Sequence, residues 1–385
     1  MATPAQWLEG ARPRTLPAAV APVLAGTGVA AYLGSAVWWK ALMALLVALA
    51  LQVGVNYAND YSDGIRGTDA DRVGPLRLVG SGAATASAVK EAALISFGVA
   101  AFFGLLLAIT TAWWLVLVGL VSIVAAWYYT GGRRPYGYMG LGEVMVFVFF
   151  GLVAVMGTTY VQTETLPLAS FLAAVGVGAL ACAILVANNL RDIPTDSEVG
   201  KRTLAVVLGE EHTRYLYASL VGVAAISLVG VAFVTTWASL LGLAFLVPAV
   251  PALRTVLGGT TGRGLVPVLQ RTGTAELVYA AGLFVALLLA GMRGDQLPGH
   301  VGVLSPPMAS SPWEGTVLLH PLVIGHPKIK AGGGPPCGSR RTRACAGTCR
   351  RHTPPRRVAS RGAAHRSRRA PHRPPSPAAD PRGTG

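Results

Sequence analysis

Residues 38–58 read WWKALMALLVALALQVGVNYA, and residues 59–72 continue NDYSDGIRGTDADR. The first stretch holds one charge, Lys40, and is long enough to cross a bilayer, which takes about 20 mostly apolar residues as a helix. The second turns polar at once, with Asn59, Asp60, Asp63, Asp69 and Asp71 close together. A span that ends in a knot of carboxylates and amides makes this an integral membrane protein with chemistry at the ends of its helices.

The same apolar signature recurs along the chain. Nine candidate spans are expected: 15–35, 38–58, 90–110, 112–130, 142–161, 167–187, 214–235, 237–257 and 274–292. The first is the weakest, because it contains Pro17 and Pro22, although proline is tolerated where neighbouring helices satisfy the freed carbonyls. Small residues such as Gly98, Ala100, Ala101 and Gly104 favour close helix packing. The expected fold is therefore all-α, with about nine transmembrane helices. Composition agrees: of 385 residues 52% are hydrophobic and 13% charged, against roughly a quarter charged in soluble domains.

The net charge of +15 resembles a nucleic-acid binder's until its distribution is read. Residues 1–293 carry 17 basic and 14 acidic side chains, whereas 294–385 carry 15 and 3. The excess belongs to the tail, and no nucleic-acid partner is expected. The tail's Arg, Pro, Gly and Ala cannot bury a core, so 294–385 is expected to be disordered. Its abrupt onset after a complete last helix suggests an out-of-frame or otherwise non-native extension, with a native species-specific disordered tail as the equal alternative. Nine spans would put it outside the membrane. Cys182 lies in an apolar run and reads as a small buried hydrophobe; Cys337, Cys345 and Cys349 lie in the tail without the spacing of a zinc module. No short apolar segment with a small-residue cleavage site opens the chain, so no cleavable signal peptide is expected.

Orientation follows from the basic residues. With nine spans, 15 of the body's 17 basic side chains fall on one side, leaving Lys40 and Arg293 opposite. That side, with the N-terminus, is expected to be cytoplasmic, in a bacterial inner membrane.

The acids are not scattered. Along a helix continued through residue 63, Asn56 and Asp60 are i,i+4 neighbours and Asp60 and Asp63 are i,i+3, sharing one face. The sixth span ends in Asn188-Asn189-Leu190-Arg191-Asp192-Ile193-Pro194-Thr195-Asp196, where Asn189, Asp192 and Asp196 again share a face. Pro194 is expected to kink or end that helix. An ionised Asp at mid-span costs roughly 2.5–3.5 kcal/mol on insertion scales, a cost largely avoided at the mouth of a cavity where several share a cation. Oxygen-only donors suit a hard ion such as Mg²⁺, which keeps waters and bridges to phosphates. Arg72, Arg77, Arg133, Arg134, Lys201 and Arg202 could neutralise the rest of a diphosphate's charge. Topology alone accounts for such basic loops, and a lone Asp-x-x-Asp is usually a solvated surface. The duplication of the cluster, four helices apart, is what argues for a site.

Asn59-Asp60-x-x-Asp63 followed by Asp192-x-x-x-Asp196 resembles the two aspartate-rich motifs of the UbiA-type intramembrane prenyltransferase superfamily, over residues 1–293. The strings at 59–69, 74–82, 129–138 and 140–143 are similar to its 1,4-dihydroxy-2-naphthoate, or menaquinone, branch. One departure is visible: Gly67 stands where the superfamily pattern wants Asp, with Asp69 two residues on. The resemblance implies a helical bundle around a central cavity, capped by cytosolic loops. It also implies Mg²⁺-dependent transfer of a polyprenyl group from polyprenyl diphosphate to 1,4-dihydroxy-2-naphthoate, with loss of diphosphate and CO₂. By analogy Asp60, Asp63 and Asp196 are the first metal-site candidates, followed by Asn56, Asp69 and Asp192. Arg133, Arg134, Tyr136 and Lys201 are candidates for substrate contact, and Tyr136 could equally be an interfacial anchor. Another aromatic prenyltransferase of the superfamily is the nearest alternative. A phosphatidyl transferase fits less well, since Asp63-Gly64-Ile65-Arg66 lacks the continuation it needs. A cation transporter would place its acids nearer mid-span.

Overall fold

The computed structural model describes residues 2–67 and 76–294. A short helix α1 (Pro4–Gly10), capped reciprocally by Thr3 and Gln6, is followed by a single 3₁₀ turn at Pro13–Thr15. Nine longer helices come next: α2 (Pro17–Tyr32), α3 (Trp38–Arg66), α4 (Ala86–Ile109), α5 (Leu115–Tyr128), α6 (Gly142–Thr163), α7 (Leu168–Glu198), α8 (Leu204–Val234), α9 (Trp237–Leu257) and α10 (Gly262–Arg293). Every apolar segment expected from sequence is helical. Among the described residues seven helices have the length and hydropathy of a span, and α1–α2 forms an eighth broken by a 49° bend. The break falls before Pro17, not at Pro22, which lies inside α2. α5 is apolar but only 14 residues long.

Pro194 does not end its helix as the sequence suggested. α7 runs through it to Glu198, and in the next turn the Thr195 and Ser197 hydroxyls donate to the Asp192 and Ile193 carbonyls (3.0 and 2.7 Å). α8 begins ten residues earlier than the expected span and is interrupted at Gly209, whose φ is 74°. The expected tail lies, apart from Gly294, outside the described residues.

α7 is the axis of the bundle. Of its most apolar window 72% is buried, against 28–44% in the other spans, and α2, α6, α8 and α10 pack around it. Its inward residues are small: Ala173, Ala174, Gly176, Gly178, Ala179 and Ala183. Lipid tails are as apolar as leucine, so close backbone packing rather than hydrophobic sorting holds such helices together. At Gly291 of α10 an added Cβ would lie 2.3 Å from the Ala31 carbonyl oxygen of α2. Large apolar side chains point outward instead, among them Ile95, Phe102, Leu117, Leu120, Ile226 and Val247.

Residues Phe147–Met156 of α6 are wound as a π-helix, the wider form that often marks functional sites. Its Gly151 faces Ala174 and Gly178 of α7, where a Cβ would come within 2.7 Å. Phe149, Phe150 and Val153 of the same stretch line a cavity of about 340 Å³. α2, α3, α4 and α5 complete its mostly apolar wall.

Gly291→Ala should push α2 and α10 apart and destabilise the fold by about 1–3 kcal/mol, the usual overpacking range. Gly98→Ala, with no heavy atom within 4 Å of the new methyl, should stabilise by roughly 0.5–1 kcal/mol through helix propensity. Thermal unfolding of the two variants in detergent checks both signs.

Candidate functional site

α3 carries its polar residues without losing the helix. It ends where Gly67 adopts φ 71°, a left-handed cap open to glycine, with Arg66 in the last turn. Asn56, Asn59, Asp60 and Asp63 are all buried on its inner face.

Asp60 is fully buried. Its two oxygens accept the backbone N–H groups of Leu78 (2.8 Å) and Val79 (3.1 Å). Residues 76–79 thereby return over Gly64, where a Cβ would meet Val79 at 2.4 Å. This return brings Arg77 to Asp63, 3.6 Å from Oδ2. Tyr138 donates its hydroxyl to the other oxygen of Asp63, at 2.6 Å. Thr130 donates to Asn59 Oδ1 at 2.7 Å. Asn56 turns its amide nitrogen to the Ala11 carbonyl (2.9 Å) and Thr15 (3.0 Å), tying down the N-terminal turn.

The second cluster, on α7, is also paired. Arg191 forks onto Asp192 at 2.6 and 2.7 Å and reaches Asn188 at 2.9 Å. Asp196 pairs with Lys201 at 3.4 Å, and its carbonyl accepts the Lys201 amide at 2.8 Å. Asn189 donates to Glu143 at 2.9 Å.

Tyr138 joins the two. While its hydroxyl holds Asp63, its ring faces the Lys201 ammonium at 5.0 Å and the Arg66 guanidinium at 5.4 Å, attractive cation–π distances. Its carbonyl accepts the Arg202 amide at 3.2 Å. Arg66 is held in turn by the Thr130 and Gly132 carbonyls. Asp63, Arg77, Tyr138, Lys201 and Asp196 thus form one connected group, although α3 and α7 are far apart in sequence. Asn56, Asn59 and Tyr136, close to it in sequence, line the apolar cavity, whereas the five residues themselves are not part of its wall.

The remaining candidates fall into three kinds. Tyr136 donates to the Ala125 carbonyl at 2.7 Å and packs edge-on to Tyr129; burial pushes its phenol above the ordinary tyrosine value, so it stays a protonated donor. Arg133, Arg134 and Arg202 have exposed side chains on the surrounding loops. Asp69 and Arg72 lie outside the described residues. Sequence reasoning overlooked Tyr138 and Thr130 as site residues, and credited Arg66 and Arg191 to topology alone. The clue available for the first two was their place in the 129–138 string.

The donor set fits a hard cation. Its ligand atoms are carboxylate and amide oxygens, and Asp63 and Asp196 each stand beside one basic side chain. Among the described residues no three His, Cys, Asp or Glu side chains converge to hold a metal by themselves. Mg²⁺ is usually bound through one or two carboxylates, with water and substrate phosphate completing its shell.

Residues 19–264 match the UbiA prenyltransferase family. Over 287 residues the chain is 56% identical to a Mycobacterium tuberculosis protein named 1,4-dihydroxy-2-naphthoate octaprenyltransferase, covering 74% of this chain and 98% of the relative. An Escherichia coli protein of the same name is 40% identical over 303 residues, with 73% and 95% covered. A UbiA homologue from Archaeoglobus fulgidus, solved bound to GPP and Mg²⁺, shares the fold with a TM-score of 0.56 at 15% identity, covering 73% of this chain and 99% of its own. On its sequence and its fold alike, the chain belongs to the UbiA prenyltransferase family.

Proposed function

We propose that this protein transfers a polyprenyl group from polyprenyl diphosphate to 1,4-dihydroxy-2-naphthoate, releasing diphosphate and CO₂ and giving the demethylmenaquinone skeleton. The observation that carries the reading is the joining of two acid clusters through Tyr138, with their neighbours Asn56, Asn59 and Tyr136 in the wall of an apolar cavity. The naphthoate branch is supported by the relatives at 56% and 40% identity that bear that name.

Asp63 and Asp196 would hold Mg²⁺, with Asp60, Asp192, Asn56 and Asp69 as further oxygen donors. When bound, Mg²⁺ neutralises charge on the diphosphate as the allylic C–O bond breaks and its electron pair leaves with the diphosphate. Arg77 and Lys201, already oriented by Asp63 and Asp196, supply further positive charge to the leaving group. The apolar cavity wall keeps water from the allylic carbon while the electron-rich ring attacks it. Loss of CO₂ from the ring then restores aromaticity. Asp60 has a second task. By holding the Leu78 and Val79 amides it sets the position of Arg77. The excess of basic loop residues beside the motifs supports a cytosolic site in a bacterial cell membrane.

The decisive assay incubates membranes containing the protein with Mg²⁺, a polyprenyl diphosphate and a panel of aromatic acids, with mass spectrometry of the lipid product. Decarboxylated, prenylated naphthoquinol is expected; prenylated 4-hydroxybenzoate in its place would refute the branch. Asp63→Asn and Asp196→Asn should each lower turnover at least about 100-fold, the scale of a lost electrostatic stabiliser, with the protein still in the membrane fraction. Tyr138→Phe keeps the ring and loses the bond to Asp63. It should raise the KM for prenyl diphosphate roughly tenfold, as loss of a charged hydrogen bond does, with the protein still folded because Arg77 stays beside Asp63.

A further inference from the structure

Three arginines have no part in the proposed chemistry. Arg254 lies in the last turn of α9, Arg263 in the turn that opens α10, and Arg271 two turns further on. All three side chains are exposed, and among the described residues none of them makes a hydrogen bond or an ion pair. The stretch 212–275 contains no acid. Glu210, just before it, is engaged by Arg214 at 3.1 Å. Arg214 also holds the Val256 and Thr260 carbonyls, at 2.6 and 2.9 Å, so the loop between α9 and α10 is fixed while its exposed arginines are not.

Their places on the helices matter more than their number. In α9 the exposed residues Val247, Pro251 and Arg254 follow at steps of four and three, on one face. In α10 the exposed residues Arg271, Thr274, Val285 and Leu289 share a face in the same way. The two helices pack side by side, so two outward-facing surfaces each end in an arginine. At 1.5 Å per residue, Arg271 and Arg293 stand about 33 Å apart along α10, close to an average hydrocarbon core of about 30 Å. Arg271 is thereby placed at headgroup level. The Arg14 carbonyl of the N-terminal turn lies 4.0 Å from a Cβ built on Gly273, which puts this level at the same end as the acid clusters. The bias of basic residues toward one side of a membrane accounts for the end they occupy, not for the face they take.

We propose that the outer face of α9 and α10 binds an anionic phospholipid: Arg254, Arg263 and Arg271 take its phosphate, and its acyl chains lie along Val247, Val285 and Leu289. Such a lipid matches both parts of the surface, cations at headgroup level and an apolar strip beneath them. A free phosphate would leave the strip unused, and a zwitterionic head would bring its own ammonium among cations that lack partners.

The test reconstitutes the purified full-length protein in phosphatidylcholine nanodiscs with a trace of phosphatidylglycerol carrying a photoreactive diazirine in its acyl chain. Labelled peptides are mapped by mass spectrometry, with a diazirine phosphatidylcholine as the comparison. Expected is labelling of 246–293 by the phosphatidylglycerol probe in at least about fivefold excess, the worth of one basic side chain beside an anionic head. Arg254→Gln together with Arg271→Gln should weaken that labelling roughly 25-fold on the same scale. Its unfolding temperature and turnover in phosphatidylcholine alone should not move. Lys90→Gln together with Arg293→Gln removes two charges elsewhere and should leave the labelling unchanged. The basic tail is common to all variants and cannot produce the difference between them. Equal labelling by the two probes would overturn the proposal, as would an equal loss in the Lys90 and Arg293 pair, which would assign the preference to net charge. Displacement of the probe by inorganic phosphate at constant ionic strength would reveal a small-anion site instead. A lower unfolding temperature in the Arg254 and Arg271 pair would show a structural role, and either result sinks the proposal too.

Discussion

A carboxylate placed at the end of a membrane helix must have a partner. Four aspartates are buried at one end of this bundle, and each has one: Asp60 the Leu78 and Val79 amides, Asp63 Tyr138 and Arg77, Asp192 Arg191, and Asp196 Lys201. Removing one partner from a buried pair leaves an uncompensated charge, a loss far larger than the pair's net worth. The loops between helices are consequently fastened to helix ends by charge and hydrogen bonding as well as by apolar contact, Leu78 being fully buried in a cluster with Ala11, Tyr57, Ala58 and Val89. The same fastening collects positive charge beside oxygen ligands, which is what a diphosphate bridged by a hard cation needs.

Below that end the bundle is held differently. Small residues let α7 approach its neighbours closely, and glycines at backbone crossings leave no room for a side chain. A broad gap lies where α6 takes its wider π winding and turns aromatic side chains toward α2, α3, α4 and α5. Tight packing on one side and a walled space on the other follow from one sequence property, the placement of Gly and Ala against Phe, Leu and Val.

Much of this was legible because it is local. Span 38–58 announces itself by composition, and the i,i+3 and i,i+4 spacing of Asn56, Asp60 and Asp63 holds once α3 is seen to continue to Arg66. The asymmetry of basic residues needs no tertiary structure. What stayed hidden depends on closure. Tyr138 is 75 residues from Asp63, and nothing in its neighbourhood marks it as the link between clusters. Arg191, explained by topology, proves to be buried on Asp192. Asp60 looked only like a ligand, yet both its oxygens hold a returning loop. Pro194 reads as a kink or a helix end because its missing amide is a local fact, yet α7 runs on past it to Glu198.

The brevity of α5 has an effect beyond the protein. Fourteen helical residues rise about 21 Å, some 9 Å less than an average hydrocarbon core of about 30 Å. Trp113 and Trp114 at one end and Tyr128 at the other are exposed, and such rings settle at the headgroup level. A span this short is accommodated by local thinning of the bilayer, by snorkelling of its flanking residues or by oligomerisation, each at a fraction of a kcal/mol for each ångström of mismatch. Because α5 also forms part of the cavity wall, any such accommodation would act on the chamber as well as on the lipid.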